Sequence, residues 1–154
     1  MIAIVIAGLA TWLTFAGPNP VAASAPVPSP TIKTHRVVVL VDTDDIQVMK
    51  HAISYSFNLT RYYDAKSEPV TIEVVANGAG IKLFRTDISP LQEILVTLHT
   101  AVPEIVFSVC ASSKAIAEQN EGHPITIIDS ARLVPFGIGR LIDLQEAGWT
   151  YVHA

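Results

Sequence analysis

From His35 onward the chain alternates two patterns of apolar positions. Short, largely apolar runs, "RVVVLV" (36–41), "PVTIEVVA" (69–76) and "EIVFSVC" (104–110), read as strands, and the β-branched "RVVVLV" as one buried on both faces. Between them, apolar residues recur at helical spacing. Met49, Ile53 and Phe57 fall at i, i+4 and i+8 behind "DTDD" (42–45), whose carboxylates suit a helix N-terminus, and this helix is expected to end near Tyr63. "SPLQEILVTLHTAV" (89–102) predicts a second helix. Ser89 stands as its N-cap, Pro90 in the first helical position and Gln92 as the far side of a capping box, while Leu91, Ile94, Leu95 and Leu98 form its apolar stripe. "SSKAIAEQNEG" (112–122) predicts a third helix stopped by Gly122. "GIGRLIDLQEAGW" (137–149) predicts a fourth, with Ile138, Leu141 and Ile142 inward and Gly148 as its stop. "ITIID" (125–129) and "TYVHA" (150–154) read as the fourth and fifth strands.

Strands alternating with helices imply βαβ crossovers and a sheet covered on both faces. The expected fold is α/β: a three-layer α/β/α sandwich with a mainly parallel five-stranded sheet, flavodoxin-like in general shape, formed by residues 35–154 without internal repeat. Ligands in such sheets gather beyond the carboxyl ends of the strands. Three stretches fall on that edge: "VDTDD", "ANGAG" and "VCASS".

Residues 1–34 follow another rule. "IAIVIAGLATWLTFAG" is an apolar run too short and too interrupted for a confident span, and small residues and prolines follow it. The pattern reads as an export signal over 1–25, cleaved after the small pair Ala23 and Ala25, with 26–34 as a Pro-rich tether. An uncleaved anchor, the alternative, follows from the absence of Lys or Arg ahead of the run. The expected location is periplasmic or otherwise exported, with membrane contact only through an uncleaved segment.

Composition narrows the function classes. The chain has 154 residues, half of them hydrophobic and 16% charged, with a formal net charge of −4. No stripe of Lys and Arg is present to neutralise a phosphate backbone, which argues against nucleic acid as a partner. His51, His99 and His123 share no metal-ligand spacing with one another or with the cysteine, so no metal site is expected. "NGAGI" is neither a phosphate loop nor a full dinucleotide fingerprint, and no cofactor is expected. Asp42, Asp44 and Asp45 at a strand end read first as complements to a helix dipole. "NLT" at Asn58 fits a glycosylation pattern inside a segment that reads as helix.

Cys110 is the chain's only cysteine, so an intramolecular disulfide is ruled out. A thiolate at the end of the third strand, ahead of a helix whose free N–H groups face it, would have a lowered pKa and act as a nucleophile. Equally, a free cysteine in this position serves as a small buried hydrophobe.

Taken together, "VVANGAGIKLF", the "SPLQE" helix start, the strand-terminal "VCASS" and the closing "VPFGIGRLIDLQEAGWTYV" resemble the DsrE/DsrF-like proteins of sulfur metabolism, specifically their small stand-alone members. The likeness runs from about His35 to the C-terminus. It implies an α/β/α fold, assembly into homo-oligomers, and a cysteine that carries sulfur as a persulfide, which is Cys110 by position. On that reading the partners are a thiol or persulfide donor and an acceptor. Asn77 and the backbone of Gly78 and Gly80 would hydrogen-bond the carried sulfur, Lys82 would supply positive charge, and Ser112 or Ser113 would cap the helix beside the thiol. Each residue also has a plain role: Asn77-Gly78 as a turn, Lys82 as a solvated surface cation, and the serine pair as routine helix capping. The competing function is a non-catalytic exported module that binds a small ligand or assembles into oligomers, with Cys110 as a structural residue.

Overall fold

The computed structural model describes residues 33–154. The expected export signal and most of the tether lie outside the described residues.

Five strands form one parallel sheet: β1 (His35–Val41), β2 (Val70–Ala76), β3 (Val106–Cys110), β4 (Ala131–Val134) and β5 (Thr150–His153). Their spatial order is β4-β3-β2-β1-β5. Helices α1 (Ile46–Asp64), α2 (Gln92–Ala101), α3 (Ala111–Glu121) and α4 (Gly137–Glu146) connect them, with a 3-10 helix, Gly78–Phe84, between β2 and α2. The chain therefore steps in one direction from β1 to β4 and then crosses to the far side of β1. Crossovers of one hand put helices on one face while the chain steps one way and on the opposite face when it reverses. The packing follows that rule. Met49, Ala52, Ile53, Leu95 and Leu98 of α1 and α2 join the cluster built on Val37, Val39, Val41, Ile72 and Val74, and Ala117 of α3 packs on it. Leu141 and Leu144 of α4 join Val38, Leu40 and Val75 on the other face. Strand alternation divides the two sets, because successive side chains point to opposite faces. The fold is thus the expected α/β sandwich, with three helices on one face and a single helix on the other.

Several element ends differ from their sequence reading. Asp45 caps α1 as expected for that acidic stretch, its Oδ1 accepting from the backbone of Gln47 at 2.7 Å and Val48 at 3.1 Å. By contrast α2 begins at Gln92, and no capping box forms. Ser89 Oγ donates to Leu83 O at 2.6 Å, tying the preceding loop to the 3-10 helix, and Gln92 Nε2 donates to Thr86 O at 2.6 Å, tying the start of α2 to that loop. Ile94 is exposed; Leu95 and Leu98 alone of the expected stripe are fully inside. On α4, Leu141 and Leu144 face the sheet, while Ile138 and Ile142 are exposed.

The largest correction concerns the fourth strand. "ITIID" does not join the sheet; Ile127 makes only an isolated antiparallel bridge to Arg85, and Ile125 fills the core edge. The strand is "ARLV", paired along β3 from Phe107↔Ala131 to Cys110↔Val134. The left-handed conformations expected at helix stops are found at Gly122 (φ 74°) and Gly148 (φ 82°).

Candidate functional site

The loop leaving β3 turns to α3 on one face, and the loop leaving β4, its neighbour, turns to α4 on the other. Adjacent strands whose connections part in this way open a crevice at their carboxyl ends, the usual binding position in open α/β sheets. Cys110 is the last residue of β3 and is paired with Val134, the last of β4, so it stands in that crevice.

Cys110 is also the N-cap of α3. Its Sγ accepts from the backbone N–H of Ser113 at 3.4 Å. The residue is 3% exposed. That burial is the largest influence on the thiol and pushes its pKa up, but the Ser113 hydroxyl and the backbone N–H groups of Gly137, Ser113 and Ser112 together outweigh it. The net pKa lies below the ordinary thiol value. The first turn of α3 therefore donates to the sulfur, and the start of α4 lies close against Cys110.

The residues singled out from sequence divide around this centre. Asn77, Gly78 and Ser113 come together: Ser113 Oγ accepts from Gly78 N at 2.9 Å and donates to Asn77 Oδ1 at 3.2 Å. Gly78 adopts φ 54°, which glycine permits without strain. Ser112 acts through its backbone, donating to Pro135 O at 3.3 Å and tying α3 to the end of β4. Gly80 donates its N–H to Asn77 O at 2.9 Å. A Cβ there would lie 2.1 Å from Val41 O, so this glycine is what lets the 3-10 helix press on the end of β1. Lys82 also points to another partner, Asp44, at 3.5 Å. A hollow of about 310 Å³, lined by Gly78, Ala79, Ser113, Ile116, Ala117 and Asn120, opens beside the Ser113–Gly78 contact.

Gly137 is the site residue that sequence reasoning missed. A Cβ on it would meet Cys110 Cβ and Asn77 Oδ1, each at 3.1 Å, so its lack of a side chain lets the start of α4 approach the thiol. The visible sign was a pair of glycines opening a helix, Gly137 and Gly139, where stronger helix formers are usual.

The remaining candidates resolve into structural roles. Asp42 accepts from His153 at 3.2 Å, Asp44 pairs with Lys82, and Asp45 caps α1. His51 stacks on Tyr55 and His99 packs against Phe107. His123 does join a group of ligand-type residues, Asp87 and Glu121, whose atoms lie within 4.8 Å of one another. Arg85 already occupies that group: its guanidinium donates to both oxygens of Asp87 and both of Glu121 at 2.6–3.0 Å. Arg85 is thus the counter-ion of both carboxylates. Asn58 lies exposed on α1 and donates to Ser54 Oγ at 3.4 Å.

No family model and no curated protein matches the chain. Among solved structures it is similar to a protein of unknown function, MTH1491, from Methanobacterium thermoautotrophicum. The two are 27% identical, the match covers 78% of this chain and 99% of that one, and the TM-score is 0.65. The likeness establishes a shared α/β fold.

Proposed function

We propose that the protein is a DsrE-like sulfur carrier that holds sulfane sulfur on Cys110. The observation that carries this reading is the place of Cys110 at the N-terminus of α3, where its buried Sγ accepts from Ser113 N at 3.4 Å and the first residue of α4, Gly137, packs against it. Core cysteines need no such donors; a thiolate or a persulfide anion does. In the reaction the Cys110 thiolate attacks the outer sulfur of a donor persulfide. A new S–S bond forms on Cys110, the donor's S–S bond breaks, and its electron pair leaves on the donor thiolate. The second step repeats this exchange: an acceptor thiolate attacks the outer sulfur and Cys110 leaves as thiolate. No net oxidation occurs. On this reading the crevice receives donor and acceptor thiols in turn, and the chain works as an exported homo-oligomer.

The 3% exposure of Cys110 favours a second reading, a non-catalytic binding or assembly module in which the thiol is structural. One experiment separates them. The folded full chain is incubated with a persulfide donor and examined by intact mass, alongside alkylation in buffer and in denaturant. A gain of one sulfur, lost again to an added thiol, supports the carrier. A thiol that reacts only in denaturant and never gains sulfur supports the structural role.

A further inference from the structure

A second chemical centre lies on the α4 face of the sheet, and the thiol chemistry makes no use of it. Glu73, in the middle of β2, is 1% exposed. Arg140 of α4 satisfies both of its oxygens, Nε to Oε1 at 2.8 Å and Nη2 to Oε2 at 2.7 Å, and Ser108 Oγ donates to Oε1 at 2.7 Å. Those contacts already neutralise the carboxylate. Arg132 of β4 nonetheless adds a second cation, with Nη2 3.0 Å from Glu73 Oε1 and Nε donating to Ser108 Oγ at 3.0 Å.

Two guanidiniums thus share one buried carboxylate, and Arg132 remains half exposed. Among the described residues neither arginine's Nη1 has a hydrogen-bond partner. Both arginines line a groove of about 470 Å³ between β4 and α4, together with Phe136, Gly139 and Asp143. Each guanidinium is held at two points from below, so its remaining donors are already ordered, and ordering is a main cost of binding with long side chains. The first turn of α4 adds the positive end of its dipole.

We propose that this groove binds a small organic anion: one carboxylate or phosphate group on Arg132 and Arg140, with an apolar body against Phe136, which is 64% exposed. Asp143 sets the charge limit, since its carboxylate opposes a ligand with further negative charge beyond the group held by the arginines. The site is separate from Cys110 and stands or falls without the sulfur reading.

The test uses the full chain at fixed ionic strength, titrated with benzoate, phenyl phosphate and inorganic phosphate while amide NMR shifts are followed. Saturable shifts at Arg132, Gly139 and neighbouring residues are expected, with phenyl phosphate binding more tightly than inorganic phosphate. Benzoate and phenyl phosphate compared on the same protein tell which oxyanion the arginines prefer. Arg132→Gln should weaken binding about tenfold or more, the ordinary worth of a hydrogen bond to a charged group. Because Arg140 still satisfies Glu73, the variant should stay folded. Asp143→Asn, at an exposed position, should tighten binding. Shifts that never saturate, or equal affinities in the wild type and Arg132→Gln, overturn the site. An unchanged or weaker affinity in Asp143→Asn also overturns it, and equal affinity for the two phosphates overturns the assignment of the apolar body to Phe136.

Discussion

Ser113→Ala isolates the feature on which the thiol's chemistry depends. Its hydroxyl has a single proton, which donates to Asn77 Oδ1 and on ionisation of Cys110 turns to the thiolate; of the groups that lower the Cys110 pKa it comes first, and the backbone N–H groups of Gly137, Ser113 and Ser112 follow. A hydrogen bond to a charged acceptor contributes about 1.5–3 kcal/mol. At about 1.4 kcal/mol per pKa unit, its loss should raise the thiol pKa by about 1–2 units, because the bond favours only the charged form. The assay is the ultraviolet absorbance of the thiolate against pH. It needs no reagent to reach a buried sulfur, and subtracting the same titration of Cys110→Ala removes the four tyrosines, whose phenolates absorb in that region near about pH 10. Ser112→Ala is the control: Ser112 acts through its backbone N–H, which alanine keeps, so its thiol should titrate as in the wild type. A linked effect on stability follows. A thiol held below its unfolded value of about 8.5 contributes stability that is fully present above that pH and is lost as pH falls through the folded value. The wild type should therefore gain on Ser113→Ala towards alkaline pH. An unchanged pKa in Ser113→Ala, or an equal rise in Ser112→Ala, would refute the account.

Gly80→Ala would place a methyl group 2.1 Å from Val41 O, against strand backbone that cannot turn aside. A loss of about 3 kcal/mol, seen as a Tm lower by ~10 °C, is expected; a variant with wild-type Tm but altered thiol reactivity would return Gly80 to the site. Arg140→Ala should cost about 3 kcal/mol in urea unfolding with an unchanged slope, since it takes the principal partner from a buried carboxylate, whereas Arg132→Ala should cost under about 1.5 kcal/mol. Similar losses in the two would contradict the division of labour around Glu73. Asp87, hydrogen-bonded by Arg85, has its carboxyl pKa lowered to about 2. Its contribution is present above an unfolded value of about 3.9 and disappears as pH falls towards about 2, so Asp87→Asn should flatten the acid limb of stability between those values. Urea midpoints at a series of pH values would measure that limb, and an unaltered limb would count against the Arg85 pairing.

Local pattern was sufficient wherever one face of an element was chemically distinct. β1 and α1 were legible because "RVVVLV" has no polar position after Arg36 to misplace, and Asp45 is a natural cap. The phase of α4 was not legible. Ile138, Leu141 and Ile142 make one plausible stripe and Leu141 with Leu144 another, and only the sheet chose between them. "ITIID" carries strand-like alternation, yet β3 pairs with "ARLV", whose Arg132 reaches Glu73 and Ser108. One sign was available: Glu73 is a charged residue inside an apolar run, and a carboxylate there demands buried partners. Which residues those are could not be read, since Arg140 lies 67 positions away.

At the site, sequence by itself determined that one thiol ends a strand and opens a helix, because that depends on neighbours along the chain. It determined equally that strands and helices alternate in an α/β sandwich, since hydrophobic period is a local property. Only the tertiary structure decided the strand order, and with it the crevice between β3 and β4. The fold also brought Gly137 against Cys110, set Gly80 against β1 and gathered two arginines over one carboxylate. Each of these is a contact between residues far apart in the chain. Such contacts arise from how the sheet and its helices share a limited buried volume, and that volume does not exist until the elements have packed.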